Sequence, residues 1–282
     1  MGELWTVYRT RLDLLRQSKD NPEVLSAKSA MISDPKIKKL LTEAVRLPEV
    51  ILKRHNDAAH PLHQLTFLAD LGFSVADPGI EPIIAAVTAI QAEEGPFPVL
   101  MNIHPSHGGA GEDQKGWMLC DAPLILYALV KFGLGDEPMV RKAVQFLMGL
   151  VKDNGWPCVV AKELGKFRGP GRKDDACPYA TLVMMKLLAE LPEYHQGEVC
   201  KTGILALLNF WQARKEKKPY LFGMGTDFAK LKAPFIWYDI LHVADVLTRF
   251  DGSEGNPVLV ELLDLIQNKA NPDGLFQCES VW

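Results

Sequence analysis

The sequence predicts an all-α chain in which helices come in pairs, one buried on nearly every side and one amphipathic. Three observations carry this expectation. Segments 62–71, 122–134, 178–191 and 235–250 are apolar on most faces, as befits helices that show little surface to water. Each is followed by a short Gly/Pro/Asp turn and a second helical pattern, near 79–92, 136–151, 197–213 and 256–269. These second helices end in turns with an aromatic at a recurrent place, EEGPFPVL, DNGWPCVV, KKPYLFGMG and PDGLFQCE. Their aromatics, Phe97, Trp156, Tyr220 and Phe276, are spaced by 59, 64 and 56 residues, so one helix-pair unit repeats with variable loops.

Taken in order, residues 3–17 and 34–54 have helical patterns, the second opened by Asp34 and Pro35 and broken at Pro48. Residues 1–59 form an N-terminal helical segment that completes or caps the repeats, and residues 60–282 hold the repeats themselves within one domain overall. The four strongly apolar segments read as inner helices and their partners as outer ones. In 136–151, Met139, Val140, Ala143, Leu147, Leu150 and Val151 fall on one face, with Asp136 and Pro138 at its start. A lone helical hairpin cannot bury its apolar face, whereas successive hairpins bury one another. A bundle or an open solenoid satisfies the same periodicity; a closed double ring of inner and outer helices better explains inner helices that are apolar nearly all round. Glycines in the aromatic turns let the chain cross back tightly. Residues 101–118 and 161–174 are Gly-rich loops that precede inner helices, where functional groups are commonly placed.

Composition sets the outer limits. The chain has 282 residues, 48% apolar and 23% charged, with 31 Lys and Arg against 35 Asp and Glu. A net charge of −4 offers no broad basic field for nucleic acid or an anionic membrane. No apolar run reaches the roughly 20 residues needed to span a bilayer. The five cysteines, at 120, 158, 177, 200 and 278, are an odd number without a close pair, and the N-terminus is amphipathic rather than signal-like. Both features favour a reducing cytoplasm.

Three polar residues near the starts of inner helices stand out as candidate zinc ligands: Asp175, Cys177 and His242. A carboxylate, a thiolate and an imidazole make a three-ligand catalytic set with an open position. The plainer reading makes Asp175 a helix cap, Cys177 a small buried residue and His242 a satisfied core histidine. His60, His63, His104 and His107 permit a separate metal reading, against ordinary capping or hydrogen bonding. Cys120 and Asp121 start another inner helix and line the same mouth. Phe67, Trp117, Tyr127, Trp211, Phe235, Trp237 and Tyr238 are candidates for an apolar wall, while Trp156 and Phe276 belong to the turns and tie outer helices together.

The helix pairs and their Gly-aromatic turns resemble the α/α toroid shared by terpenoid cyclases and the β subunits of protein prenyltransferases, over most of residues 60–282. The zinc motif of those β subunits is similar to Asp175, Ala176, Cys177 and to Asp239, Ile240, Leu241, His242, whose cysteine and histidine lie 65 residues apart. The resemblance implies Zn2+ held by Asp175, Cys177 and His242, with Asp239 behind His242. It also implies an isoprenoid diphosphate held by Arg172 and Lys173, with Arg168 behind them and Tyr179 as a phosphate donor. Zinc would bind a thiol acceptor, a small molecule or a protein or peptide, as the thiolate. The loop HPSHGGAGEDQKGWM resembles the His-Gly-Gly loop of the same family. Several features depart from its pattern: the chain is short, Pro178 stands where the tyrosine is expected, and His107 lies far from its helix. A terpene-cyclase-like isoprenoid enzyme is the alternative. Against it, Asp174 and Asp175 supply only the last pair of the acid motif that initiates cyclisation. A non-catalytic ligand- or protein-binding toroid is the third reading.

Overall fold

A computed structural model describes residues 3–165, 175–217, 222, 224–251, 253 and 255–280. It is mainly helical. In chain order the helices are α1 (Leu4–Arg9), α2 (Pro22–Ser33), α3 (Pro35–Ala44), α4 (Pro61–Asp70), α5 (Ile80–Thr88), α6 (Ala122–Leu129), α7 (Pro138–Met148), α8 (Pro178–Leu188), α9 (Glu198–Gln212), α10 (Ile240–Leu247) and α11 (Pro257–Gln267). No helix among the described residues is long and apolar enough to cross a membrane.

A recurring two-residue device starts these helices. Asn21–Pro22, Asp34–Pro35, His60–Pro61, Cys177–Pro178 and Asn256–Pro257 each place a side-chain acceptor at the cap and proline in the first turn. The side chain satisfies a backbone N–H that has no intrahelical partner, and proline brings its helical φ without losing a needed donor.

Packing separates the two kinds of helix. Every residue of α6 and of α8 is buried, whereas α7 buries Val140, Ala143, Val144 and Leu147 along one stripe, and α11 only Leu259 and Leu262. Helices α4, α6, α8 and α10 pack successively, with α7 against α6, α9 against α8 and α11 against both α10 and α9. Each fully buried Leu, Val or Met along this row stabilises the fold by about 1.5–3 kcal/mol relative to exposure. The buried apolar residues from Tyr8 to Leu262 form one cluster.

The structure departs from the sequence reading in four places. Helix α2 lies where no helix is expected, because only Val24 and Met31 of its twelve residues are buried and its Ser- and Ala-rich sequence carries little periodicity. The helix expected over 34–54 ends at Ala44. The helix expected from 235 starts at Ile240, because Asp239 Oδ1 accepts from the N–H groups of Leu241 and His242 at 3.0 Å and fixes the cap there. Loop 101–118 contributes to a small antiparallel pair, β1 (Val99–Asn102) with β2 (Asp113–Gly116), in which Val99 faces Gly116. The polar DQKG sequence of β2 gives no alternation to read.

The aromatic turns work as expected at Trp156. Its indole N–H donates to Leu147 O at 2.9 Å, and its backbone N–H to Thr181 Oγ1 at 3.1 Å, tying outer α7 to inner α8, while its ring lies against outer α9, where a Cβ at Gly203 would meet it at 3.1 Å. Phe276 is 52% exposed rather than buried between outer helices; Tyr220 lies outside the described residues. Gly155 has φ of +112°, and a Cβ there would meet Thr181 Oγ1 at 2.9 Å and Ala206 Cβ at 3.0 Å. Gly155→Ala is expected to cost about 1–3 kcal/mol of stability through backbone strain and crowding. Gly274 has φ of +75° and open space around it, so Gly274→Ala should cost less. Urea unfolding of the two variants measures the difference.

Candidate functional site

Residues 156–161 run between the segment that enters α6 and the segment that enters α8. On one side Leu119 N donates to Val159 O at 2.9 Å and Ala161 N to Trp117 O at 2.8 Å; on the other Cys177 N donates to Trp156 O at 2.7 Å. Antiparallel bridges join Met118 to Val160 and Pro157 to Ala176. This lacing gathers three cysteines. Cys120 follows Leu119, Cys158 precedes Val159, and Cys177 follows Ala176. The neighbouring thiols of Cys158 and Cys177, together with burial, push the pKa of Cys120 well above the ordinary value. Cys120 and Cys177 are buried and Cys158 is half-buried.

An imidazole–carboxylate pair stands beside the thiols. His55 Nδ1 donates to Asp121 Oδ1 at 2.8 Å. Asp121 is 1% exposed, and its Oδ2 has no hydrogen-bond partner among the described residues. Burial disfavours the His55 imidazolium, but the Asp121 charge and hydrogen bond outweigh it, helped by Cys158 and Cys177, and raise the pKa to about 9. His55 is therefore charged at neutral pH. Its carbonyl accepts from His63 Nε2 at 2.7 Å, and its ring lies parallel to Trp237 at 6.2 Å. His55 also opens on a cavity of about 310 Å³, lined by apolar Leu52, Met101, Ile103 and Met118 and by basic Lys53 and Arg54, with His104 and His107.

Cys177 is the cap of α8, its Sγ accepting from Ala180 N at 3.5 Å. An aromatic array adjoins it, with Tyr179 and Trp237 at 4.2 Å, Phe222 and Trp237 at 5.5 Å, and Phe222 and Tyr238 at 5.4 Å. Asp175 lines a second, larger cavity of about 600 Å³ between the start of α8 and α9, with Asp153, Leu205 and Phe210.

The remaining expected residues are placed differently. Arg172 and Lys173, with Arg168, lie outside the described residues. The Tyr179 hydroxyl donates to Ile236 O at 2.9 Å, and burial pushes its pKa well up, so it is occupied by the backbone. His242 Nδ1 donates to Trp237 O at 2.9 Å, while Nε2 is buried without a partner among the described residues. Burial holds His242 neutral, and the nearby cations Lys186 and Arg249 push in the same direction, as does His63. Cationic neighbours oppose a divalent metal. Among the described residues no three His, Cys, Asp or Glu side chains are grouped to hold a metal ion, so the zinc expectation draws no support from this geometry. His60 and His104 act as helix caps, Nδ1 of each accepting a backbone N–H.

Further along α8 lies a second buried polar cluster. Lys186, nine residues beyond Cys177 and so about 13 Å along the helix, is 0% exposed. Its Nζ stands 3.4 Å from Asp70 Oδ2 and 4.6 and 5.4 Å from the rings of Tyr127 and Phe235. The Tyr127 hydroxyl donates to Asp70 Oδ1 at 2.5 Å.

The chain matches no family model, and no curated protein matches it. Sequence reasoning placed Cys120 and Asp121 at this mouth but passed over His55 and gave Cys158 no role. His55 lies in the irregular stretch before α4, where no periodicity marks it.

Proposed function

We propose that the chain is an α/α toroid of inner and outer helices that carries a cysteine-dependent transferase site at the end where α6 and α8 begin. The successive packing of α4, α6, α8 and α10, with α6 and α8 buried all round, supports the ring. The observation that carries the activity is the His55–Asp121 pair at 2.8 Å beside Cys177 at a helix N-terminus. A nucleophile, a proton-transfer group and a third residue that orients it make up the general arrangement of covalent catalysis.

The reaction this arrangement performs is transfer of an apolar acyl group. The Cys177 thiolate attacks the carbonyl carbon of the donor, and His55 gives its Nε2 proton to the leaving group, which departs as the thioester forms. An acceptor nucleophile then attacks the thioester, returns its proton to His55 and releases the Cys177 thiolate. Asp121 holds the ring in place through Nδ1. The apolar lining of the cavity at His55 suits the acyl chain, and Lys53 and Arg54 suit an anionic head on the donor.

A second reading keeps the isoprenoid and zinc, with Asp175, Cys177 and His242 holding the metal. The buried His242 Nε2, without a hydrogen-bond partner among the described residues, favours it. One experiment separates the two. With p-nitrophenyl decanoate, acyl transfer predicts a burst of nitrophenol and a decanoyl thioester on Cys177, both lost in Cys177→Ala, in protein without stoichiometric metal. About one zinc per chain, lost in Cys177→Ala, with farnesyl diphosphate consumed and no thioester formed, would instead establish the second reading.

A further inference from the structure

We propose that Cys120 and Cys158 form a redox-modification site, which a small disulfide of the glutathione class converts to an intramolecular disulfide. The inference goes beyond the transferase reading, since neither cysteine is the nucleophile there.

The backbone brings the two residues together independently of their side chains. Cys120 and Cys158 are the next positions along each segment from the Leu119 N to Val159 O hydrogen bond, at the edge of the Met118–Val160 bridge. The register of the Met118–Val160 bridge sets Cys120 opposite Cys158 where the chain turns into α6, and a disulfide spans Cα atoms roughly 4.4–6.8 Å apart.

Burial sets the order of events. Cys158 is half-buried, whereas Cys120 is 5% exposed, so an external reagent meets Cys158 first. The Cys158 thiolate attacks one sulfur of oxidised glutathione, the glutathione S–S bond breaks, and one glutathione leaves and takes up the proton that Cys158 released. The Cys120 sulfur then attacks the Cys158 sulfur of the mixed disulfide, loses its own proton and expels the second glutathione. Two protein thiols are oxidised by two electrons, and one glutathione disulfide is reduced to two thiols. Cys200 is buried elsewhere, on α9, and Cys278 is exposed near the chain end, so neither takes part.

The test uses the full chain carrying Cys278→Ser, which removes the exposed thiol, treated with oxidised glutathione and read by thiol titration and peptide mass mapping. The expected result is loss of two thiols with no retained glutathione and a cross-linked peptide joining Cys120 to Cys158. Adding Cys120→Ala should trap glutathione on Cys158, and adding Cys158→Ala should leave no cross-link and no adduct. Adding Cys177→Ser should leave the Cys120–Cys158 cross-link in place, so the outcome does not depend on the transferase reading. A cross-link joining Cys120 to Cys177, an adduct on Cys158 that Cys120 never resolves, or no reaction at all would overturn the proposal. Circular dichroism of each variant confirms that a silent variant is folded.

Discussion

Asp70→Leu is expected to lower the free energy of unfolding by about 2–4 kcal/mol, less than the roughly 3–5 kcal/mol for breaking a fully buried ion pair, because the Asp70 side chain is 25% exposed. The physical reason lies with Lys186. This lysine is 0% exposed, and Asp70 is its carboxylate partner, at 3.4 Å. Without Asp70 the ammonium keeps, among the described residues, the faces of Tyr127 and Phe235, and cation–π contacts of that kind supply about 2 kcal/mol when desolvated. The Tyr127 hydroxyl also loses its acceptor, which adds the cost of an unsatisfied buried donor. Lys186→Met together with Asp70→Leu removes both charges and should recover most of the loss, because a well-packed apolar pair often replaces a buried ion pair at little cost. Urea unfolding of the wild type, both single variants and the double variant measures the coupling. A loss below about 1 kcal/mol in Asp70→Leu would show that Lys186 is not held by the ion pair.

Asp121→Asn is expected to act on both activity and pH dependence. In the transferase reading the asparagine leaves His55 without its orienting anion, and the rate of acyl transfer should fall by about 10²–10⁴-fold with little change in substrate binding. Stability gives a readout that does not need activity. Burial works against the His55 charge, yet Asp121 raises its pKa from 6.5 to about 9. The folded chain therefore keeps a proton that the unfolded chain gives up near 6.5. The resulting stabilisation, about 3 kcal/mol before solvent screening, is complete below pH 6.5 and is lost as the pH rises through 9. Unfolding measured from pH 6 to 10 should show this decline in the wild type and a flatter profile in Asp121→Asn. Equal slopes in the two proteins would mean that Asp121 does not set the His55 charge.

The helix pairs were legible because their signals are local. Apolar runs with few charges mark α6 and α8, and the three-and-four spacing of Met139, Val140, Ala143 and Leu147 marks α7, although Met139 itself is 37% exposed. Asn21–Pro22 has the same cap-and-proline chemistry as Asp34–Pro35, yet α2 is hard to read because so little of it is buried. The start of α10 was displaced for another local reason: Phe235 to Tyr238 are as apolar as the helix they precede, and only the Asp239 cap separates them from it.

The site was legible only in part. Cys177 is visible as a cysteine before an apolar helix, and Cys120 and Asp121 as a second such start. Nothing along the chain shows that residues 156–161 lace those two starts together, or that His55 arrives beside Asp121 from 66 positions away. His242 and Cys177 share a spacing of one repeat, but burial and the neighbouring Lys186 and Arg249 give His242 different surroundings from the thiols.

The sequence by itself determined that the chain is mainly helical, that its helices alternate between mostly buried and one-sided, and where most of them begin. Those properties follow from the periodicity of burial and from capping chemistry, which act within a few residues. The tertiary structure alone decided which titratable groups meet, His55 with Asp121 and Lys186 with Asp70, and which backbone segments bring Cys120, Cys158 and Cys177 into one region. Such partnerships depend on the register in which distant segments cross, and their energies depend on the water that crossing excludes.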